Sequence, residues 1–412
     1  MNIYAIIILF TIIGSYLLGL ITNWLNIKHL SLELPKEFEG IYDSEAYKKS
    51  QEYTEVNTKF GFLTSTLSLI LTLIFWFMGG FNYLDLWVRN WDLGPIVSGL
   101  IYIASLVLLK SLFSLPFGVY STFVIEERFG FNKTTVRTFI LDILKSLSLS
   151  ILLGVPLLAG LLYFFDATGN LAWLYAWIAT TVFSLIIQFI APTWIMPLFN
   201  KFIPLEEGEL KEAILSYTKS TQFPLRGIFV MDGSKRSSKS NAFFTGFGKN
   251  KRVALFDTLI SKHTDGELVS VLAHEVGHFK KKHILKNMII SILHMGLVFY
   301  LLSLFLSHGG LFDAFYMNHL SVYAGLIFFS MLYSPIEMIL SIVMQIFSRK
   351  NEYEADRFAT ETTENAENMI NALKKLSRDN LSNLTPHPVY VFLNYSHPPV
   401  LERIEAIRRL NK

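Results

Sequence analysis

Seven stretches of this chain are each long and apolar enough to cross a lipid bilayer, and nothing else in it narrows the possible folds so far. They are residues 3–23, 60–81, 95–118, 146–165, 171–197, 284–307 and 321–347. The hydrocarbon layer is about 30 Å thick, which an α-helix crosses in about 20 residues. Inside it every backbone N–H and C=O must be paired within the protein, so unbroken apolar runs of this length read as helices. The expected class is a multi-pass α-helical membrane protein. Composition agrees: 52% of the 412 residues are hydrophobic and 17% charged, with a mean hydropathy of +0.41, which excludes a soluble enzyme of ordinary make-up. The net charge of +3 offers no footprint for nucleic acid. There is no cysteine, so disulfides and thiolate metal ligands are both excluded. The first segment has no basic residue ahead of it and no small-residue cleavage site after it, and reads as a retained anchor.

The connecting segments set an orientation. Loop 24–59 carries Lys28, Lys36, Lys48, Lys49 and Lys59, and loop 119–145 carries Arg128, Lys133, Arg137 and Lys145, whereas 82–94, 166–170 and 308–320 carry Arg89 alone. By the positive-inside rule the basic loops are cytoplasmic, and segments 198–283 and 348–412 share that side. The triplets Asn132-Lys-Thr134 and Asn383-Leu-Thr385 then lie where no glycan is added. The expected organisation is an N-terminal region of five spans (1–197), a cytoplasmic α/β insertion (198–283), two further spans (284–347) and a cytoplasmic helical tail (348–412). The host membrane is the endoplasmic reticulum or a bacterial inner membrane, according to source.

Within the insertion, 207–219 reads as a helix and 226–231, 241–245 and 252–256 as short strands. Three strands leave an exposed edge, and 241–246 is the candidate to receive an extended substrate as an added strand, through Asn241, Ala242, Phe243 and Phe244. An ordinary buried hairpin strand explains the same residues equally well. Gly246 and Gly248 read as turn formers.

A helix is expected over 265–282, opened by a capping box of Thr264 and Glu267. It carries Val271-Leu-Ala-His-Glu-Val-Gly-His278. His274 and His278, at i and i+4, share a face and can meet one Zn²⁺ per chain; Glu275, about 100° round the helix, faces the water such a metal activates and is the expected general base. The next acidic cluster in a helical context is 351–359, where Glu352 and Asp356 share a face and Glu354 points away. Spacing favours Glu352 as third ligand, with Asp356 orienting a ligand His from behind. Without the first motif, both would read as a solvated face. His397 sits in a Pro-restricted turn, a rigid position suited to polarising a carbonyl, although alone such a His more often caps or packs. Arg403 alone reads as a surface charge. Lys110 and Glu337 fall inside spans, where a charge needs water or a partner; both fit a polar interior and, equally, a transport path. Lys280, Lys281 and Lys282 suit the helix C-terminus and an anionic leaflet.

Together with 126–132, 190–200, 204–210, 237–243 and 396–399, these motifs give the chain a close resemblance to the integral-membrane CAAX prenyl proteases of type 1, along most of its length. That resemblance implies seven helices around a chamber capped by the zinc domain, and removal of the last three residues of prenylated, membrane-associated proteins. It implies His274, His278 and Glu352 as zinc ligands, Glu275 as base, Asp356 as a ligand's support, and His397 and Arg403 in substrate binding or transition-state stabilisation. The alternatives are a quality-control membrane zinc protease, and a transporter or channel with a structural zinc site. The expected partners are a peptide or protein substrate and the lipid bilayer, with no nucleic acid.

Overall fold

The computed structural model describes residues 1–245 and 251–410. Seven helices are long and apolar enough to cross a membrane: Ile3–Lys28, Ser44–Phe77, Gly94–Glu126, Val136–Ala167, Gly169–Phe199, His283–Phe305 and Val322–Thr363. Each predicted span is thus a helix, but most helices outrun the apolar stretch that announced them. The second begins at Ser44, capped by Asp43, so that part of the basic loop 24–59 is helix. It stops at Phe77, short of the expected residue 81, because Gly79 turns left-handed (φ 72°) and starts a separate short helix, Gly80–Arg89. The third, fourth and fifth each contain one π-helical turn, at Ser121–Glu126, Ser150–Gly154 and Ala191–Ile195, with Pro116, Pro156 and Pro192 nearby. A proline removes a helical donor, and wider turns absorb the loss.

The seven close into a ring, each touching the next. Tyr16 bonds Thr66 at 2.7 Å between the first and second. Phe60 lies against Phe117 and Tyr120 of the third. Gly99 of the third meets Leu162 of the fourth, and Phe164 meets Tyr175 of the fifth. Trp177 Nε1 donates to Ile292 O on the sixth at 2.8 Å. His294 and Tyr333 join the sixth to the seventh at 3.0 Å, and Ser15 donates to Met338 Sδ at 3.7 Å to complete the circuit. The membrane core gathers at one end of this ring, around Trp76, Phe81, Tyr102, Phe312, Phe315 and Phe328. Farther along, the third helix is exposed at every position from Val107 to Leu112, more than one full turn, so every side of it is partly open there. The helices stand as staves around an interior space, and Lys110 lies on this uncovered stretch.

A second core sits at the other end, where the α/β insertion, the end of the seventh helix and the C-terminal helices Ala366–Asp379 and Val400–Leu410 pack together. The sheet has four strands in the order β1-β2-β4-β3: β1 Phe202–Pro204, β2 Leu225–Met231, β3 Ala242–Thr245 and β4 Lys251–Phe256. Three strands were expected; β1, three residues long, is too short to show a period. β2 and β4 are parallel, and Val253, Ala254 and Leu255 are buried in succession, the pattern of a strand covered on both faces. β3 pairs antiparallel with β4 and forms an edge of the sheet. Gly246 and Gly248 lie outside the described residues. The helix expected at 207–219 runs Glu209–Ser220. The seventh membrane helix does not stop at residue 347. It continues to Thr363, about 24 Å further, and carries Glu352 and Asp356 into the α/β part.

Candidate active site

Helix Asp265–Lys280 opens with both halves of its capping box: Glu267 N donates to Thr264 Oγ1 at 3.4 Å, and Thr264 N to Glu267 Oε2 at 2.9 Å. It is two residues shorter than expected, because Lys282 adopts a left-handed conformation (φ 60°) and begins the sixth membrane helix at His283. The helix lies closely against the end of the seventh, on a face made by Glu352, Ala355, Asp356 and Ala359, one 3.6-residue stripe. Gly277 makes that approach possible. A Cβ there would sit 3.1 Å from the Cα and O of Ala355. Two small residues at the crossing bring the carboxylates up to the histidines.

The ring nitrogens then converge. His274 Nε2 is 3.1 Å from His278 Nε2, and the Glu352 carboxylate lies 3.4 Å from the first and 3.3 Å from the second. Behind His274, Nδ1 is 2.8 Å from Asp356 Oδ1. A carboxylate only accepts, so Nδ1 carries a proton, and Nε2 is the atom that presents a lone pair once the ring is singly protonated. Arg403 clamps Asp356 from the other side, with Nε 2.8 Å from Oδ2 and Nη2 2.6 Å from Oδ1, and its Nη1 is 3.6 Å from Glu352. His397 is exposed, with Nε2 3.4 Å from Glu352 Oε1.

The charges respond to this crowding. Burial works against a protonated His274, but its contacts with Asp356 and Glu352 outweigh burial and hold the ring up to about 9. Burial alone would raise Glu352; the two histidines beside it push it far below the usual carboxylate range. Asp356, also resisted by burial, is held down to about 2 by Arg403 and His274. Arg403 is kept charged by the same carboxylates despite its burial.

A cleft of about 200 Å³ opens over this cluster, lined among others by Asn241, Ala242, His274, Glu275, Glu352 and Arg403. Glu275 is half-buried at its wall. Of the four candidate strand residues, Asn241 and Ala242 reach the cleft. Phe243 and Phe244 do not line it: they pack on Phe256 and Phe223, at ring separations of 6.1 and 5.1 Å. The two motifs at 126–132 and 237–243 hold this strand in place by meeting each other. Ser238 N donates to Phe131 O at 3.1 Å, Lys239 pairs with Glu126 at 2.9 Å, and Arg236 forks onto Asp142 at 2.7 and 2.9 Å.

Three comparisons bear on this arrangement. Residues 23–201 match the model of the CAAX prenyl protease N-terminal region, five membrane helices, and residues 204–411 match peptidase family M48. The chain belongs to the M48 CAAX prenyl protease family. Relatives include CAAX prenyl protease 1 of Saccharomyces cerevisiae, 37% identical over 91% of this chain and 88% of that protein. The homologue from Oryza sativa subsp. japonica is 37% identical over 91% and 90%, and that from Homo sapiens 34% over 92% and 89%. The crystal structure of S. mikatae Ste24p superposes with a TM-score of 0.90 at 35% identity, covering 99% of both chains. The chain is therefore a multi-span membrane metallopeptidase acting on peptide or protein substrates, and the transporter reading falls away.

An M48 peptidase requires a metal, and the residues present fit one. His274, His278 and Glu352 bring one ligand atom each within 4.8 Å of one another. Glu352 Oε2 is buried and makes no hydrogen bond. Two imidazole nitrogens and a carboxylate converging on one point, with an oxygen left unpaired, form a donor set that suits a metal cation. Sequence reasoning missed two residues beside this cluster. His283 Nδ1 is 3.1 Å from His278 Nδ1, and His283 Nε2 is 3.1 Å from Glu354 Oε2. The Lys282 break hid the first from any periodicity, and Glu354 faces away from the other two carboxylates. Glu337 is 3.4 Å from His294 beside a cavity of about 700 Å³ between the first, sixth and seventh membrane helices, which supplies the partner its span position required.

Proposed function

We propose that this protein is a zinc endopeptidase that removes the last three residues of prenylated CAAX-type proteins, with its α/β part facing the cytoplasm. The observation that carries the reading is one cleft in which Glu275, the His274–His278–Glu352 cluster and the start of an edge strand all meet. The prenylated substrate is inferred from the relatives, which are CAAX prenyl protease 1 and its homologues. The cytoplasmic side rests on the lysines and arginines of loops 24–59 and 119–145.

His274, His278 and Glu352 would hold the ion. A bound Zn²⁺ supplies Lewis-acid chemistry, lowering the pKa of a water from about 15.7 to about 7 and polarising the scissile carbonyl. Glu275 accepts the proton that the water sheds as it attacks and delivers it to the departing amine. Asp356 fixes the tautomer of His274, and Arg403 keeps Asp356 ionised and in place. His397, exposed at the mouth, donates to the oxyanion as the carbonyl becomes tetrahedral. The substrate lies extended along Asn241 and Ala242, its backbone pairing with the open edge of β3.

The test pairs farnesylated and bare C-terminal peptides with purified protein in detergent, with and without a chelator. Chelator-sensitive release of a tripeptide from the lipidated peptide alone is expected, and equal cleavage of both would favour a quality-control protease. Glu275→Gln should keep its zinc and lose at least about 10²-fold in rate; normal cleavage by that variant would sink the mechanism.

A further inference from the structure

The two ligand histidines are braced in different ways. His274 meets its carboxylate directly. His278 meets a second imidazole, His283, 2% exposed, and that ring in turn meets Glu354. Hydrogen-bond logic fixes every proton along this row. Glu354 can only accept, so His283 carries its proton on Nε2 and offers a lone pair at Nδ1. The facing Nδ1 of His278, 3.1 Å away, must then be the donor, which strips Nε2 of its proton and turns a bare lone pair towards His274 and Glu352. The reverse arrangement, with His283 donating, would protonate His278 Nε2 and disable it as a ligand.

We propose that His283 and Glu354 are positioning residues for the metal site: a relay that locks His278 in its ligating tautomer and orientation, as Asp356 does for His274. The relay rests on the zinc reading given above. It also accounts for the break at Lys282. A straight continuation of the zinc helix would carry residue 283 onward along the axis, whereas the left-handed residue turns the chain back so that His283 stands beside His278. Glu354, which looks away from the zinc ligands on its own helix, faces this turn instead.

The test is zinc affinity, measured by competition with a chelating dye on the full-length purified protein, with circular dichroism as the check on folding. Wild type should bind one zinc and His274→Ala none; failure of that pair would sink the zinc reading itself and not the relay. Given that pair, His283→Leu fills the space without a lone pair and should weaken zinc binding by about 10–100-fold. His283→Asn keeps an acceptor near Nδ1 but loses the link to Glu354, and should fall between the two. Glu354→Gln leaves packing intact and should weaken binding least. A purely structural role would lower thermal stability without this graded order. If His283→Leu is folded and binds zinc as wild type does, the relay is wrong. If His283→Leu does not fold, wild-type affinity in both His283→Asn and Glu354→Gln overturns it equally.

Discussion

Two carboxylates are buried at opposite ends of this molecule, and their surroundings differ in kind. Asp85, fully buried at the closed end of the ring, receives the Tyr323 hydroxyl on one oxygen and Arg89 Nε at 2.8 Å on the other. Both its oxygens meet donors, and the site is complete. Glu352, 4% exposed at the other end, faces Nε2 of His274 at 3.4 Å, Nε2 of His278 at 3.3 Å and Arg403 Nη1 at 3.6 Å, and one of its oxygens has no hydrogen bond. A buried charge whose oxygens all meet donors holds a fold together; one left with an unpaired oxygen beside two imidazoles marks a place for a cation.

Neutralising each carboxylate tests this contrast most directly. Glu352→Gln should abolish zinc binding and lower hydrolysis by at least about 10³-fold while the apo-protein unfolds no earlier than wild type. Asp85→Asn should do the reverse, with zinc retained and stability falling by about 1–3 kcal/mol, read from thermal unfolding in detergent. If Asp85→Asn loses its metal, the two ends are not separable in this way.

Protons sharpen the same comparison. His274 is held up to about 9, so below that pH a proton occupies the nitrogen a metal needs. The sign follows: zinc affinity rises with pH, by about tenfold per unit between about pH 6.5 and 8.5, and each ion bound releases about one proton. Titration calorimetry in two buffers of different ionisation enthalpy would show it, and a flat profile would contradict it. The smallest effect is steric. Gly277→Ala places a methyl 3.1 Å from the Ala355 backbone and should destabilise the protein by about 1 kcal/mol, with a larger loss of activity than of stability because Glu352 moves with Ala355.

Much of the zinc end could be read from residue order. His274, Glu275 and His278 follow from a single helical period, and Glu352 with Asp356 from another; each pair needs only its own helix to be right. What stayed hidden depends on how separate elements meet. His283 lies beyond the left-handed break at Lys282, which no spacing reports, and its contact with Glu354 appears only once two helices meet. Asp85 and Tyr323 find each other across 238 residues. The seven apolar runs announced the membrane helices but not their ends, because capping and left-handed residues such as Asp43, Gly79 and Lys282 set those. The side chains of Phe243 and Phe244 pack on Phe256 and Phe223, contacts between separate elements that residue order does not report.

The seventh membrane helix is one rod of 42 residues, with an apolar stretch long enough to cross a bilayer and Glu352 near its far end. Pro335 lies within it, where a missing hydrogen bond makes bending easiest. From there to Glu352 the rod is about 26 Å long at about 1.5 Å per residue, so a swing of about 2° carries the carboxylate about 1 Å. A displacement of that size is worth about 100-fold in rate at a site that must place atoms for reaction. A helix adjusts its tilt to the thickness of the lipid around it. One unbroken helix therefore joins the bilayer-spanning segment to the carboxylate that stands beside His274 and His278.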